Sequence, residues 1–377
     1  MLPTLDIILV NRNSGGALLE CLTSVAHVEN TTFILRRVCL VDDASTDNSA
    51  APCAELPLPL EILRNPEHAG YGASCNRGAE TSTADYILFL NTDCTLFAGS
   101  LELPLAYMEQ AAQARVGIVG IQLLDSDGRT SRSCARFPTV RRMISTALGL
   151  DRVFPSLFPS HQMKEWDHLE TREVDQVIGA FMLVRRALFE RLGGYDERFF
   201  VYMEDLDFSL RMRRLGCRSI YLASAKAMHK GGESARKVQA ESLFFGMRSR
   251  IQYACKHFGA LGGSIVALCV LLLEPLSRLA LAAARRSPAQ FTAVAGAYAR
   301  LWAELLSGRL CRNILSRTLR QESCPESSQE SWQESWQRPI ARRGLQENTG
   351  ADHHRGSMGA ATEAGIRSQT GNQRGNR

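Results

Sequence analysis

The stretch VCLVDDASTDNS, residues 38–49, indicates the fold class, because an apolar strand in it ends abruptly in polar side chains. Similar apolar runs on either side of it are LDIILVN (5–11), LEILRN (60–65), YILFLN (86–91) and VGIVGIQLL (116–124). Nearly continuous apolar runs of this kind are typical of strands that are covered on both faces. Helix-like stretches separate them near residues 16–28, 46–55, 71–82 and 99–113. The alternation predicts an α/β fold with a mostly parallel, Rossmann-like sheet and helices on both faces.

Composition limits the class of protein further. With 377 residues, 45% of them hydrophobic, the chain is long enough for one large domain or two small ones. Its N-terminal residues lack a basic region followed by a long apolar run, so we expect no signal peptide. Eleven cysteines without a CxxC pair favour a reducing compartment over a disulfide framework or a zinc site.

The positive charge is concentrated in one segment. The formal net charge is +5, but residues 275–320 alone contain eight arginines against one glutamate. The rest of the chain is therefore slightly acidic. A local basic excess beside apolar helices indicates a membrane surface as partner, and no nucleic acid.

The second half of the chain contains further elements. Residues 125–175 are rich in loop-forming residues and are too long for a simple connection, so we expect them to be functional or mobile. Residues 174–197 have the pattern of a strand, a short helix and a Gly-Gly turn. A helix is predicted from the acidic stretch near 204 to about Leu215, then a strand at 217–222 and a loop at 228–235.

The C-terminal third differs in character. Residues 258–273 carry no charge, but sixteen residues are fewer than the roughly twenty that a spanning helix needs. A helical stripe follows at Phe291, Val294, Tyr298, Leu301, Trp302 and Leu305. The pattern favours an amphipathic hairpin in the membrane interface; a transmembrane pair and helices docked on the globular domain are the alternatives. Residues 321–377 have low complexity and are predicted to be disordered.

Polar residues at the predicted strand ends suggest a nucleotide site. Ligands of parallel sheets bind at the carboxyl ends of the strands. Asp42 and Asp43 end one strand and can bond to the base and ribose of a nucleotide, although Ser45 or Asp47 could simply cap a helix there. The glycine-rich stretch NPEHAGYGASCNRG (65–78) leads into a helix whose N-terminus favours an anion.

Two acidic motifs suggest chemistry. Asn91 and Asp93 follow a buried strand at alternate positions, so both can face one divalent cation; an ordinary turn is the alternative. In FFVYMEDLDFSLRM (199–212), Glu204, Asp205 and Asp207 lie beside aromatic residues. Two acids would satisfy the helix dipole, and a third beside apolar surface suggests a catalytic base with a raised pKa.

The motifs of this chain occur in the order VDDASTDNS, the glycine-rich turn, LNTD, GAFMLVRR, GGYDERFFVYMEDLDFSLRMRRLG and MHKGGES. This order resembles that of glycosyltransferase family 2, whose members have the inverting GT-A fold. The likeness is greatest to its rhamnosyltransferase-like branch and covers about residues 3–257. It implies a GT-A domain at 1–257; the charge and apolar patterns described above predict a membrane-associating region at 258–320, and the low complexity predicts a disordered tail at 321–377.

The resemblance implies a donor site in which Asp42 contacts the nucleobase and Asp43 the ribose. Its residues would be Asn11, Asp42, Asp43, Asn65, Gly70 and Asn76. Asp93 would bind Mg²⁺ or Mn²⁺ on the donor diphosphate, with Asn91 and His229 as further ligands. Many relatives carry D-x-D where this chain has Asn91-Thr92-Asp93, which removes one charge; His229 would shift the preference toward Mn²⁺.

It also implies an acceptor site. Gly179 and Ala180 would line the acceptor pocket, Asp205 would be the general base, and Glu204 would position the acceptor or the base.

The activity implied is inverting transfer of a sugar, with rhamnose as the candidate, from a nucleotide-diphosphate donor to a saccharide or lipid-linked acceptor. The pathway would be bacterial cell-surface polysaccharide synthesis at the cytoplasmic face of the membrane. A nucleotide-binding protein without transferase activity and a sugar nucleotidyltransferase are the alternatives. The sequence leaves the donor, the acceptor, the linkage and the oligomeric state open.

Overall fold

The computed structural model describes residues 1–29, 31–231 and 239–310. Its strands are β1 Thr4–Asn11, β2 Ile34–Asp42, β3 Leu60–Arg64, β4 Tyr86–Leu90, β5 Cys94–Leu96, β6 Val116–Leu124, β7 Cys134–Ala135, β8 Arg172–Val174, β9 Gln176–Val177, β10 Phe181–Arg185 and β11 Arg218–His229. The helices of the first part are α1 Gly16–His27, α2 Tyr71–Ala79, α3 Glu102–Glu109, α4 Val140–Ala147, α5 Leu150–Val153, α6 Arg186–Arg191 and α7 Glu204–Arg214. Three long helices follow: α8 Gln239–His257, α9 Gly259–Ala284, which contains a π-helical turn at Cys269–Leu273, and α10 Pro288–Leu306.

The main sheet confirms the expected fold class. Its strand order is β3-β2-β1-β4-β10-β6-β11-β5, with β8 beside β11, and β7 pairs with β9 separately. Strands β3, β2, β1, β4, β6 and β11 run in one direction. Strand β10 lies antiparallel between β4 and β6, and β5 and β8 also run against their neighbour. The sheet is therefore mostly parallel.

Helices cover both faces of this sheet. On β1, Ile7 and Leu9 point into the core formed with α1 and α3, whereas Ile8 points into the core formed with α2, α6 and α7. The same alternation recurs on β4, where Leu88 and Phe89 belong to opposite cores. Because successive side chains of a strand face opposite sides, an apolar run without polar interruption is what a doubly covered sheet requires.

Strand register brings the polar strand ends together. Asn11 at the end of β1 is paired with Asp42 at the end of β2. Leu90 at the end of β4 is opposite Phe181, the first residue of β10. The residues after β4 and before β10 therefore lie at the same edge of the sheet as the ends of β1 and β2.

Three stretches differ from the sequence-based prediction. The helix expected near 46–55 is only a 3₁₀ turn at Ala51–Glu55, because Asp47 accepts hydrogen bonds from the backbone and hydroxyl of Ser49 and so forms a local turn. The stretch 125–175 is not simply a loop, since it contains α4 and α5. The strand predicted at 217–222 extends to His229, which therefore lies in β11.

The C-terminal helices pack around a third apolar core. Val294, Tyr298 and Leu301 of the predicted stripe are buried against this core, so this part of α10 is docked on the protein. Among the described residues, the helix Gly259–Ala284 is long and apolar enough to cross a membrane, and 33% of its most apolar 18-residue stretch is buried. The predicted disorder of 321–377, part of the loop at 228–235, and three of the eight arginines lie outside the described residues.

Candidate active site

The ends of β1 and β2 are joined by a buried amide. The Nδ2 of Asn11 donates to Asp42 Oδ1 at 3.0 Å, to Ser49 Oγ at 2.9 Å and to Ser45 Oγ at 3.1 Å. Asn11 is fully buried and Asp42 nearly so. Asn11, one of the residues predicted to bind the donor nucleotide, thus connects the end of β1 to the loop that follows β2.

Asp43 is held by the glycine-rich turn. Its carboxylate accepts hydrogen bonds from Asn65 Nδ2 (2.8 Å), His68 Nδ1 (2.6 Å) and the backbone N–H groups of Ala69 (2.8 Å) and Gly70 (3.2 Å). Burial alone would raise the pKa of Asp43, but the hydrogen bonds from His68, Asn65 and Ala69 lower it to about 2. The ionised carboxylate therefore fastens the turn to the end of β2, and its contact with a ribose stays a prediction.

Gly70 allows this turn to pass close to the loop before α7. Its φ is +91°, and a Cβ at this position would lie 2.3 Å from the carbonyl oxygen of Phe200. The next residue, Tyr71, donates its backbone N–H to that same oxygen at 2.9 Å. Only glycine fits, because both the backbone conformation and the space exclude a side chain.

We expect Gly70→Ala to lower the free energy of unfolding by about 2–4 kcal/mol, since the clash with Phe200 adds to the cost of a positive φ. Gly128→Ala is the matched control, because Gly128 has a φ of +77° but nothing within 4 Å of the added Cβ. Denaturant unfolding of both variants measures the difference. Equal losses would show that Gly70 is required for its φ alone.

The side chains of Asp93, directly before β5, and His229, at the end of β11, face each other. His229 lies opposite Cys94 in the pairing of β11 with β5, and its Nε2 is 3.2 Å from Asp93 Oδ1. Burial alone would raise the pKa of Asp93, but the hydrogen bond and charge of His229 lower it. The carboxylate is therefore ionised at neutral pH, and the two side chains form an oxygen and nitrogen donor set suited to a divalent cation.

Cys94 lies within the same small group but differs chemically. The ligand atoms of Asp93, Cys94 and His229 are all within 4.8 Å of one another. The Cys94 thiol is buried, its Sγ donates to the carbonyl oxygen of Ala180 at 3.3 Å, and burial raises its pKa well above the usual value. The thiol is buried and directed at the Ala180 carbonyl oxygen, so we assign Cys94 to the core.

The segment before β10 connects the metal-side residues to Asp205. The backbone N–H of Asn91 donates to the Ala180 carbonyl oxygen at 2.9 Å. One residue earlier, the N–H of Gly179 donates to Asp205 Oδ2 at 3.0 Å. Asp93 and Asp205 are therefore at the same sheet edge, connected through Gly179 and Ala180.

Asp205 and Glu204 are adjacent acids, of which Glu204 is buried and Asp205 half-buried. Burial raises the pKa of Asp205, although hydrogen bonds from Gly179, Leu206 and Gln176 partly oppose it. The pKa of Glu204 is raised well above its usual range, by burial first and by the charge of Asp205 second. Glu204 Oε2 is buried without a hydrogen-bond partner. We therefore assign the proton of the pair to Glu204 and the negative charge to Asp205.

The third acid of the cluster has a different environment. Asp207 is fully buried and accepts from Arg211 Nε (2.7 Å), Lys256 Nζ (2.5 Å) and His257 Nε2 (2.7 Å). Burial alone would raise the pKa of Asp207, but these three partners hold it well below its usual range. Asp207 therefore joins α7 to the end of α8 and does not face the site.

Two predictions about the site residues differ from the structure. Asn76 is not among the strand-end residues, because both ends of its amide bond to the backbone of Tyr195 at 2.9 and 2.8 Å. The exposed aromatic surface beside the acids is smaller than expected. Phe199 is buried in the core and Phe200 stacks on Phe245, with ring centroids 4.7 Å apart, so only Tyr202 is exposed.

Several residues that shape the site were missed by sequence reasoning. Tyr71 donates its hydroxyl to the Gly179 carbonyl oxygen at 3.1 Å, Gln176 hydrogen-bonds Asp205, and His68 holds Asp43. His68 and Tyr71 lie inside the glycine-rich stretch, which indicated the element but not these partners. Nothing in the local spacing marks Gln176.

The chain is similar in sequence to known glycosyltransferases. The sequence model of "Glycosyl transferase family 2" matches residues 6–193. The N-acetylglucosaminyl-diphospho-decaprenol L-rhamnosyltransferase of Mycobacterium tuberculosis is 27% identical over 261 residues, which cover 64% of this chain and 81% of the relative. Rhamnosyltransferase WbbL of Escherichia coli is 29% identical over 46% of this chain and 62% of its own length. A solved mannosyltransferase of Pyrobaculum calidifontis, in complex with GDP-Man and Mn²⁺, aligns with a TM-score of 0.47 at 17% identity over 89% of this chain and 84% of its own.

The doubly covered sheet and the sequence relatives together define a glycosyltransferase. The chain belongs to glycosyl transferase family 2, and rhamnosyltransferases are among its relatives. A sugar nucleotidyltransferase, one of the alternatives from the sequence, is set aside.

Proposed function

We propose that this enzyme transfers a sugar, with inversion, from a nucleotide-diphosphate donor to a saccharide carried on a lipid diphosphate. The observation that carries the proposal is the meeting of Asp93 and Asp205 at one sheet edge, through Gly179 and Ala180. Rhamnose is the sugar that we propose, because two relatives are named as rhamnosyltransferases and one of them is named for a decaprenol-linked acceptor. Bacterial cell-surface polysaccharide synthesis is the pathway class that fits such an acceptor.

In this proposal Asp205 is the general base. Its two oxygens accept one backbone N–H each, at 3.0 Å and 2.7 Å, and a carboxylate has further acceptor sites for an incoming hydroxyl. The acceptor oxygen attacks the anomeric carbon from the face opposite the diphosphate while its proton passes to Asp205, which inverts the configuration. Glu204, protonated and adjacent, would orient the acceptor or the base.

Asp93 and His229, with Asn91 beside them, are the residues that would hold a divalent cation. A bound cation offsets the charge that develops on the departing diphosphate. Asp93 supplies the ionised oxygen ligand, and β11 positions His229 against it. The backbone of Asn91 is held by its bond to Ala180, and its side-chain oxygen would be the further ligand.

The donor nucleotide would lie along the ends of β1 and β2. Support comes from the rigid arrangement of Asn11, Asp42 and Asp43, which leaves little side-chain entropy to lose on binding. Arg12 contributes further rigidity, because its Nη1 donates to the carbonyl oxygens of Asp43 and Ala44.

The proposed activity is tested by a thermal-shift screen of UDP-, dTDP- and GDP-sugars with and without Mn²⁺. We expect one nucleotide class to stabilise the protein, and more strongly with the cation. Transfer to a diphosphate-linked N-acetylglucosamine, followed by NMR of the anomeric configuration, then tests inversion. Absence of stabilisation by all three classes would contradict the donor site, and a retained configuration would contradict the mechanism.

We expect Asp93→Ala to weaken Mn²⁺ binding in the presence of the nucleoside diphosphate by at least about 100-fold, because it removes the charged ligand. Isothermal titration of the full chain measures this without turnover. Cys94→Ala is the matched control, since the neighbouring thiol is protonated and bonded to Ala180. Equal weakening in both variants would mean that the group as a whole, rather than Asp93, holds the ion.

A further inference from the structure

Helix α9 carries a row of exposed leucine and isoleucine side chains along one side. The row consists of Leu261, Ile265, Leu268, Leu272 and Leu276. Their spacing of three or four residues places them on one face of a helix. The row is about 22 Å long at 1.5 Å per residue. Leu261 is 77% exposed and Leu276 66%, which is unusual for so many neighbouring apolar side chains on a soluble surface.

The opposite side of α9 is tied to the protein by a buried ion-pair cluster. Glu274 is 1% exposed and accepts from Arg250 Nη2 with both of its oxygens, at 2.7 Å each. Arg278 donates to the same carboxylate at 2.7 Å. Arg250 lies on α8, so the cluster fixes α9 against its neighbour.

This cluster argues against α9 as a membrane span. A crossing helix would have to leave α8, which would separate Glu274 from Arg250 and place uncompensated charge in hydrocarbon. A helix that lies flat keeps these ion pairs on its protein side and uses only its apolar row.

A second apolar projection lies beside α9. Val153, Phe154 and Leu157, at and after the end of α5, are exposed. The segment before α5 contacts α9 directly, because Ser277 Oγ donates to the Ala147 carbonyl oxygen at 2.7 Å. The segment that leads to these exposed residues is therefore packed against the helix that carries the row.

The charges around this surface fit an anionic bilayer. Arg285 and Arg286 follow the end of α9 directly and are exposed, and Arg141 and Arg152 are exposed on or near α4 and α5. The two acids of α9 and α10 are paired with arginines, Glu274 as described and Glu304 with Arg248 at 3.4 Å. Positive charge beside an apolar helix face is the pattern of helices that lie in the headgroup region of a membrane.

We propose that α9 lies in the plane of an anionic membrane surface, with the row Leu261–Leu276 inserted among the lipids and Arg285 and Arg286 at the headgroups. This rests on the lipid-linked acceptor of the proposed function and names the surface that meets the bilayer. Helix α9 begins two residues after His257, which contacts Asp207 of the base-bearing helix α7. Helix α9 therefore follows directly on α8, whose last residue contacts the helix that carries Asp205.

The test is co-sedimentation of the full-length protein with vesicles of phosphatidylcholine alone or of equal parts phosphatidylcholine and phosphatidylglycerol. We expect Leu268→Gln with Leu272→Gln to weaken partition to the anionic vesicles by at least about 30-fold. Arg285→Gln with Arg286→Gln should weaken it by about tenfold or more on anionic vesicles and leave neutral ones unaffected. Leu103→Gln with Leu169→Gln, two exposed leucines elsewhere, is the matched control and should change nothing.

Several outcomes would overturn the proposal. These are a wild-type chain that does not partition, a leucine pair variant that partitions normally, and resistance to alkaline extraction from membranes, which would indicate a span. A dimer that the leucine variant dissociates, with partition unchanged, would assign the face to a second copy of this chain. If the first pair alters thermal unfolding, Leu261→Gln with Leu276→Gln gives an independent test on the same row.

Transfer to a water-soluble acceptor is measured in parallel. The leucine variants should keep this activity at the wild-type level, because the row does not touch the site. Loss of partition with retained transfer supports the docking surface. Retained partition without any transfer in the wild-type protein would contradict the proposed function and leave the surface standing.

Discussion

Asp205→Asn is expected to reduce kcat by about 100- to 10,000-fold, because it removes the group that takes the proton of the acceptor hydroxyl. The amide keeps the shape of the side chain and can still accept from Gly179 N–H. Nucleotide binding, measured by thermal shift, should therefore be retained. Turnover at the wild-type level in this variant would remove Asp205 from the mechanism.

The pH dependence gives a second measure of the same role. Since burial raises the pKa of Asp205 above its usual value, the acid limb of kcat/KM should lie above pH of about 3.9, the ordinary value for aspartate. Activity falls as pH drops through this folded-state value, because a protonated Asp205 cannot accept a proton. An acid limb at or below the ordinary value would contradict the buried environment that we describe.

Asp207→Asn is expected to lower the free energy of unfolding by about 3–5 kcal/mol, because Arg211 would lose its buried counter-charge and Lys256 would keep only Asp196. Both of these side chains are largely buried. Denaturant unfolding at neutral pH measures the loss. The matched control is Glu173→Gln, whose pair with Arg213 at 2.9 Å is exposed to solvent and should contribute no more than about 1 kcal/mol.

The pH dependence of stability reports on the Asp207 cluster. The folded-state pKa of Asp207 is lowered, so its stabilising contribution is complete above the unfolded value and is lost as pH falls through the folded value. The pKa of His257 is lowered by burial in spite of its bond to Asp207, and its Nδ1 is buried without a partner. A neutral imidazole fits both facts, so stability should also decline as pH falls below about 6.5, where an unfolded histidine gains its proton. A stability that is flat from neutral pH to about pH 5 would contradict a neutral His257.

Much of the fold could be predicted from the residues of each segment. The runs at 5–11, 60–65 and 86–91 lie within one or two residues of β1, β3 and β4, because continuous apolar runs of five to eight residues match a strand covered on both faces. The prediction of a helix at 46–55 was wrong because the side chain of Asp47 accepts a hydrogen bond from Ser49 and so stabilises a local turn.

The site was harder to predict because its contacts join distant segments. The LNTD and MED motifs identified the acids, and the order of strands and helices indicated the edge at which they meet. The sequence did not reveal the hydrogen-bond partners of these acids, because they are far away along the chain. Asp205 bonds to Gly179, 26 residues earlier, and Asp207 to His257, 50 residues later. Asn76 was misplaced because a residue on a helix after a glycine-rich turn can face either the ligand or the neighbouring Gly-Gly turn.

The sequence by itself determined the class of fold, the family and the set of acidic residues, because these depend on local patterns and on motif order. Only the tertiary structure decided what each acid of the MED-x-D stretch does. Glu204 is buried beside a like charge, Asp205 faces Gly179 at the strand ends, and Asp207 is neutralised by α8. The physical reason is that the charge state of a carboxylate depends on the solvent and charges around it, and here the neighbours come from other parts of the chain.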